Sequence, residues 1–202
     1  MISSKERSIH LIDVDVPIVS SYHREQNLQE LRTAALYFKN LGLSTYPDHL
    51  QDPIKIDEEF VFFGGDLEIF RNNKRQFEIE FLKAINQAKL VYVVTTNGYL
   101  GRSSSIELTY SLFKNAPIAL SQSITDFGGD VPSEIKNVIE NNKTLFPIIP
   151  VNKIRELKTD SLWAFLPSKR QPSLSILSLE DKNAILASIR SLVRHLERSS
   201  IT

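Results

Sequence analysis

The sequence predicts an α/β fold: an open, mostly parallel, doubly wound sheet of the Rossmann-like or flavodoxin-like kind, with helices on both faces and a C-terminal helical appendage. Three observations predict it. Short apolar runs rich in β-branched residues alternate with longer segments of helical periodicity. Residues 16–46 have the pattern of one strand–helix–strand unit. Residues 90–111 run from an apolar strand through a glycine-containing loop into a helix, an order typical of a ligand-binding corner at the carboxyl edge of a parallel sheet.

The strand–helix–strand unit begins with the apolar run at 16–21. Asn27, with Glu30 three residues later, predicts the start of a helix, and Gly42 predicts its end. Residues 43–46 are the second strand, and the length of the crossover favours a parallel pair. Ser20 and Ser21 close the first strand, so we expect them to contact a ligand at that edge.

The next predicted strand covers residues 60–63 and ends at Gly64, Gly65 and Asp66. The two glycines could let the backbone approach a ligand, with Asp66 as a contact to a ribose or a base. Glycines at such a corner more often only turn the chain, so both interpretations stay open. A helix is predicted over 73–87 from its apolar spacing.

Two further strands are predicted at 118–120 and 146–150, the second at an edge because proline cannot donate to a sheet. We divide the chain into an α/β domain at 1–150 and a C-terminal helical extension at 151–202 that packs on it. In the extension, Ser178 and Asp181 have the spacing of a capping box, ahead of an amphipathic helix.

The composition excludes several classes of site. Basic and acidic residues number 24 each among 202, so no excess of charge indicates a nucleic-acid partner. The chain has no cysteine, and its four histidines are scattered, so we expect no metal and no cofactor. No apolar run approaches the ~20 residues of a membrane span, and residues 1–10 lack the core of a signal peptide. We therefore expect a cytoplasmic protein without a membrane partner.

Glu107, near the start of the helix that follows the glycine-containing loop, allows two interpretations. With Ser104 as N-cap, Glu107 stands at the capping-box position and only satisfies backbone amides. Alternatively, Glu107 points into the crevice above the sheet with Ser103 on the same helical face. The helix dipole and nearby hydroxyl groups would then keep the carboxylate ionised, which suits a nucleophile.

A resemblance favours the second interpretation. The strand at 88–94, the loop NGYLG at 97–101, Ser103, and the segment IELTY at 106–110 resemble the nucleoside 2-deoxyribosyltransferase-like superfamily, which contains nucleoside deoxyribosyltransferases and nucleotide N-glycosidases. In that superfamily a strand ends in a loop of the type N-G-Y-I-G, and a glutamate follows that accepts the glycosyl group. The close match runs from residue 88 to residue 110, and the matching glutamate is Glu107.

The resemblance implies cleavage or transfer of an N-glycosidic bond in a nucleotide or nucleoside, with no cofactor. It makes Glu107 the nucleophile, with Tyr22 or Tyr99 as residues that orient it. In nucleotide-cleaving relatives a serine and glycines just before the glutamate bind a 5′-phosphate, and Gly101 and Ser103 match them. The remaining expected substrate contacts are Asn97, Gly98 and Arg102. Family members often carry a base-contacting aspartate on the preceding helix; Phe81 stands near that place here, with Glu80 the nearest acid.

Three functions therefore remain open. The first is an enzyme, leaning to a nucleoside 5′-monophosphate N-glycosidase. The second is a protein that binds or senses a nucleotide or sugar phosphate without cleaving it, because the same corner serves both roles. The third is a structural interaction module, which requires Glu107 to be a capping residue only. Because relatives of this type are usually oligomers, we also expect a homo-oligomer.

Overall fold

The computed structural model describes residues 14–21, 25–55, 61–63, 67–158, 160, 162 and 177–198. Eight strands lie in these ranges: β1 Val16–Ser20, β2 Thr45–Tyr46, β3 Pro53–Lys55, β4 Val61–Phe63, β5 Val91–Val94, β6 Tyr99–Leu100, β7 Ile118–Leu120 and β8 Asp126–Phe127. The α-helices described here are α1 Glu25–Asn40, α2 Leu67–Gln87, α3 Arg102–Phe113, α4 Ser133–Asn142, α5 Val151–Ile154 and α6 Leu179–Arg198. Two short 3-10 helices lie at Thr96–Gly98 and Lys143–Leu145.

The central sheet has four strands in the order β2-β1-β5-β7, and all of its pairs are parallel. The predicted strand–helix–strand unit is confirmed, because β1 and β2 pair with Val16 opposite Thr45. The edge strand predicted at 146–150 is reduced to one parallel bridge, in which Ile148 lies opposite Leu120. Pro147 and Pro150 lack N–H groups, so the two hydrogen bonds to Leu120 come from the Ile149 N–H and the Pro147 carbonyl.

Both faces of the sheet are covered by helices. Successive residues of β5 alternate between two hydrophobic clusters: Val91 and Val93 face one, and Tyr92 and Val94 face the other. The first cluster includes apolar side chains from α2, α3, α4 and α6, and the second includes side chains from α1 and α5. The chain is therefore an α/β protein built on a parallel four-stranded sheet.

Two smaller strand pairs lie outside the central sheet. β3 and β4 are antiparallel, with Ile54 opposite Phe62, so the strand predicted at 60–63 does not join the parallel sheet. β6 and β8 are parallel, with Tyr99 opposite Asp126. This second pair joins the loop after β5 to the loop after β7 at the carboxyl edge of the sheet.

Helix α6 begins as the sequence predicts. The Asp181 N–H donates to Ser178 Oγ at 3.0 Å, and the Ser178 N–H donates to Asp181 Oδ2 at 2.9 Å, which completes a capping box. Its apolar stripe packs on α2, α3 and α4, where Ile185 and Leu196 are fully buried. Among the described residues, no helix has the length and apolar character needed to cross a membrane.

His49 yields a prediction about stability and pH. Its ring is fully buried and lies edge-on to Phe63, with centroids 4.6 Å apart, and burial lowers the pKa of His49 to about 3. The unfolded chain binds a proton to this imidazole below pH ~6.5, whereas the folded chain does not. We therefore expect His49 to reduce the free energy of unfolding by about 1.4 kcal/mol per pH unit between pH 6.5 and 4.

The measurement compares denaturant midpoints of wild type and His49→Phe at pH 7.5 and 5.0. Other titrating groups are common to both proteins, so the difference between the two pH dependences isolates His49. Equal pH dependences would show that the buried imidazole accepts its proton in the folded chain.

Candidate functional site

The loop after β5 turns sharply because two of its residues adopt left-handed backbone conformations. Asn97 has φ 56° and Gly98 has φ 73°. A Cβ on Gly98 would overlap Thr125 Oγ1, and the Thr125 N–H donates to the Gly98 carbonyl at 3.0 Å. The backbone of this turn is thus packed against the loop after β7, and residue 98 must be glycine.

The start of α3 is hydrogen-bonded to Ser21, the residue that follows β1. Gly101 is the N-cap of α3, and its N–H donates to Ser21 Oγ at 2.8 Å. Ser21 Oγ also lies 3.2 Å from Ser104 Oγ. A Cβ on Gly101 would approach Ser21 Oγ to 2.9 Å, so glycine permits the contact. Neighbouring parallel strands therefore bring Ser21 and Gly101 together, although 80 residues separate them in the chain.

The capping-box interpretation of Glu107 is wrong. Ser104 lies inside the first turn of α3, and Gly101 occupies the N-cap without any side-chain cap. Glu107 is consequently in the second turn, beyond reach of the orphan amides that a capping residue satisfies. Its side chain is buried, with 8% of its surface exposed.

Glu78 on α2 is the charged residue that affects the pKa of Glu107. Burial, and then the charge of Glu78, raise the pKa of Glu107 well above its ordinary value. Burial also raises the pKa of Glu78 to about 7. Glu78 Oε1 is buried and has no hydrogen-bond partner among the described residues. Each of these two groups, here called the acid pair, therefore takes up a proton more readily than an ordinary glutamate.

This result overturns the expectation that the helix dipole keeps Glu107 ionised. The dipole acts mainly within the first turn of a helix, and Glu107 lies beyond it. Desolvation shifts the pKa of a buried carboxyl by up to several units and acts in the opposite direction. Burial therefore outweighs the dipole.

Glu78 was not among the candidates from the sequence, although its position carries a signal. The residues three, four and seven positions after it are Phe81, Leu82 and Ile85, all buried in the first hydrophobic cluster. An acidic residue on that apolar stripe must face the core of the protein. Because burying a carboxylate is costly, such a position is a candidate for a functional role.

The loop residues expected to contact substrate lie a few residues before Glu107 in the chain. Arg102 and Ser103 are half-buried in the first turn of α3, and Arg102 Nε is buried without a hydrogen-bond partner among the described residues. Tyr99 is half-buried, and its hydroxyl would lie 3.1 Å from a Cβ on Gly128. It therefore lies between the two loops of the carboxyl edge.

Other candidates have neighbours of their own. Ser20 is the last residue of β1 and shares a face with Val16 and Ile18, so its buried hydroxyl lies on the α1 side of the sheet, where no described group pairs with it. Asn97 is exposed, and its amide lies 3.4 Å from the Gln26 side-chain oxygen. Glu80 accepts a hydrogen bond from the Gln76 side-chain amide at 3.1 Å. Tyr22 and Asp66 lie outside the described residues.

A second polar cluster fixes the loops from the α1 side. Glu30 accepts hydrogen bonds from the Thr96 hydroxyl at 2.5 Å and from the Gln122 amide at 3.4 Å. Thr95 Oγ1 donates to the Gln122 carbonyl at 2.7 Å. Glu30 therefore connects α1 to both loops at once. In the part of the chain that the structure describes, no group of three acidic or histidine side chains is arranged to hold a metal ion.

The acid pair yields a prediction about stability. A carboxyl whose pKa is raised by folding favours the folded chain below the unfolded pKa, and this contribution is lost as the pH rises towards the folded pKa. For Glu78 the interval runs from 4.5 to about 7. We expect Glu78→Gln to raise the free energy of unfolding by about 3 kcal/mol at pH 8 and to leave it unchanged below pH 4.5. Chemical denaturation at both pH values measures this; a wild type as stable as the variant at pH 8 would contradict the raised pKa.

The corner thus combines a buried acid pair, a tightly turned glycine-containing loop and an uncapped helix start at the carboxyl edge of a parallel sheet. No family model, no curated protein and no solved structure matches this chain.

Proposed function

We propose that the chain cleaves or transfers the N-glycosidic bond of a nucleotide or nucleoside through a covalent glycosyl intermediate on Glu107. The preferred substrate class is a nucleoside 5′-monophosphate. The observation that carries the proposal is the buried acid pair, because one carboxyl in each protonation state is what glycoside cleavage requires. The resemblance of residues 88–110 to the deoxyribosyltransferase-like superfamily supports the same reaction.

In the first step the bond between the anomeric carbon and the base breaks as Glu107 forms an ester with that carbon. The proton held by Glu78 passes to the departing base, which leaves as a neutral molecule. Positive charge develops on the sugar in the transition state and favours the ionised form of Glu107 at the moment of attack. The reactive form of the pair is therefore the one in which Glu78 holds the proton and Glu107 is ionised.

In the second step a nucleophile releases the sugar. If water attacks the anomeric carbon, its proton returns to Glu78, Glu107 leaves as a carboxylate, and the reaction is a hydrolysis. If a second base attacks through a ring nitrogen, its proton returns in the same way, and the reaction is a transfer. One acid pair serves both outcomes.

The first turn of α3 supports a phosphate on the substrate. Gly101 leaves this turn without a side-chain cap, so its amides are available to an anion. The guanidinium of Arg102 adds a positive charge at the same turn, with Nε buried and unpaired among the described residues. Ser103 supplies a hydroxyl. An anion here would lie about one helical turn from Glu107, a spacing that suits a 5′-phosphate and its anomeric carbon.

The proposal extends to the architecture. We include in it a doubly wound, flavodoxin-like sheet, which the strand order β2-β1-β5-β7 and the helices on both faces support; ligands of such sheets bind where the strand order reverses. Here that point lies between β1 and β5, next to Ser21 and Gly101. A homo-oligomer is part of the same proposal, and it rests on the resemblance alone.

One observation favours a second function, the binding of a nucleotide or sugar phosphate without cleavage. A protonated Glu107 donates a hydrogen bond and does not attack carbon, and the pKa of Glu107 is raised well above its ordinary value. The third function, a structural module, required Glu107 to cap its helix, and its position in the second turn removes that support.

The test compares wild type with Glu107→Gln and Glu78→Gln on a panel of ribo- and deoxyribonucleosides and their 5′-monophosphates. Chromatography measures the free base. We expect release by wild type, fastest from monophosphates, and a loss of about 100-fold or more in both variants, because each lacks one member of the acid pair. Glu156→Gln is the matched control, since Glu156 is exposed and pairs with Lys153 on α5.

A 2′-fluoro substrate analogue tests the intermediate directly. Fluorine disfavours positive charge on the sugar and slows release of the glycosyl group, so the ester on Glu107 should accumulate and increase the mass of the peptide that contains it. Base release that survives Glu107→Gln would remove Glu107 as the nucleophile. If the folded wild type retains a nucleotide but releases no base from any member of the panel, the enzymatic function is wrong and the binding function takes its place.

A further inference from the structure

We propose that Glu30 is a positioning residue: it holds the loop after β7 against the start of α3, so that this loop forms one wall of the substrate site. For the substrate, the inference rests on the proposed function and deepens it, because it adds a second loop to the site. Its structural part rests on hydrogen bonds that join α1, the loop after β5 (residues 95–101) and the loop after β7 (residues 121–132).

The two loops are bonded to each other through their backbones. The Thr125 N–H donates to the Gly98 carbonyl at 3.0 Å. The Gly128 N–H donates to the Leu100 carbonyl, also at 3.0 Å. Both bonds accompany the parallel pairing of β6 with β8. A displacement of one loop consequently breaks bonds to the other.

The turn at Gly128 reaches the start of α3. A Cβ on Gly128 would lie 3.1 Å from the Tyr99 hydroxyl and 3.4 Å from Cα of Gly101, the N-cap of α3. The Val131 N–H donates to the Gly128 carbonyl at 3.0 Å and closes the turn. A side chain at 128 would therefore require its neighbours to shift. The loop after β7 thus borders the helix start at which the candidate site lies.

Glu30 binds both loops with a single carboxylate. Its Oε2 accepts a hydrogen bond from the Thr96 hydroxyl at 2.5 Å, and its Oε1 accepts one from the Gln122 side-chain amide at 3.4 Å. Thr96 belongs to the loop after β5 and Gln122 to the loop after β7, so each oxygen serves one loop. Hydrogen bonds to a carboxylate are stronger than those between neutral groups. Glu30 therefore ties the joined loops to α1.

The start of α3 has an anchor of its own. The Gly101 N–H donates to Ser21 Oγ at 2.8 Å, and this bond does not involve Glu30. Loss of Glu30 would therefore release the loops from α1 and leave α3, with Glu107, bonded to the residue that follows β1. A displaced wall weakens the binding of substrate, whereas an undisturbed Glu107 preserves the chemical step. We therefore expect KM and kcat to respond differently.

The first test follows backbone motion by nitrogen-15 NMR relaxation in the absence of substrate. In wild type we expect the Thr125 and Gly128 amides to be as rigid as the Val91 amide of the central sheet, with order parameters of about 0.85. Glu30→Ala removes both acceptor oxygens, so the values for the two loop amides should fall to about 0.6 while that of Val91 stays unchanged. The Overhauser effect between the α protons of Gly128 and Gly101 should be lost in the same variant.

Two further variants separate the hydrogen bonds from other effects of the substitution. Glu30→Gln is the conservative variant, because its side chain can accept from Thr96 and can pair with Gln122 once that amide rotates. We expect it to keep the wild-type order parameters and the Overhauser effect. Gln29→Ala is the matched control, since Gln29 is exposed and precedes Glu30 on α1.

The second test measures base release with the best substrate of the panel. We expect Glu30→Ala to raise KM at least about fivefold and to keep kcat within about twofold of wild type, while Glu30→Gln retains both constants. Gly128→Ala disturbs the same wall from its other end, because its Cβ would lie 3.1 Å from the Tyr99 hydroxyl. It should raise KM in the same way.

Unchanged order parameters in Glu30→Ala, or an equal loss of order in Glu30→Gln, would overturn the inference. A fall in kcat at constant KM would also overturn it, because the effect would then act on Glu107 and not on the wall. If wild type releases no base but the loops respond to Glu30→Ala and recover in Glu30→Gln, the proposed function fails and the positioning role of Glu30 stands. If the loops do not respond while base is released, the positioning role fails and the function stands.

Discussion

The fold removes two carboxyl groups from water, which makes their ionisation costly, and the candidate site depends on that constraint. Burial raises the pKa of both Glu107 and Glu78, and the charge of Glu78 raises that of Glu107 further. Each group costs the protein free energy that an apolar residue would not cost. In a domain whose net stability is about 5–15 kcal/mol, such a cost is typical of a functional site and not of a structural one.

The remaining elements can be understood as supports for that pair. Adjacent parallel strands place Ser21 against Gly101 and so fix the start of α3. Glu30 holds the loops after β5 and β7 to α1 on the opposite face. Helix α6 covers both α2 and α3, the helices that carry the two acids. Few of these contacts are local in the chain, which is why the site requires the whole fold.

The sequence predicts the strands, turns and helix starts around the site better than it predicts the chemistry of the site. Apolar runs and turn residues identify the strands at the centre of the sheet, the N-G turn and the capping box at Ser178, because each depends on a few neighbouring residues. Glu78 was not predicted because its role depends on Glu107, which lies on another helix. The pairing of β3 with β4 escaped for a similar reason, since Pro53 and Lys55 have weak strand propensity and are held by a partner strand.

Helix α6 also has a consequence for the order in which the molecule is made. Ile185 and Leu196 are fully buried, and α6 contributes to the same cluster as Phe81 and Leu108 from the acid-bearing helices. During synthesis these surfaces of α2 and α3 emerge early and stay uncovered until the ribosome has released the segment that ends near residue 198. The hydrophobic cluster that packs against both acid-bearing helices is therefore completed last. A nascent chain passes through a stage in which the loop and both acids have been synthesised but the core beneath their helices is still incomplete.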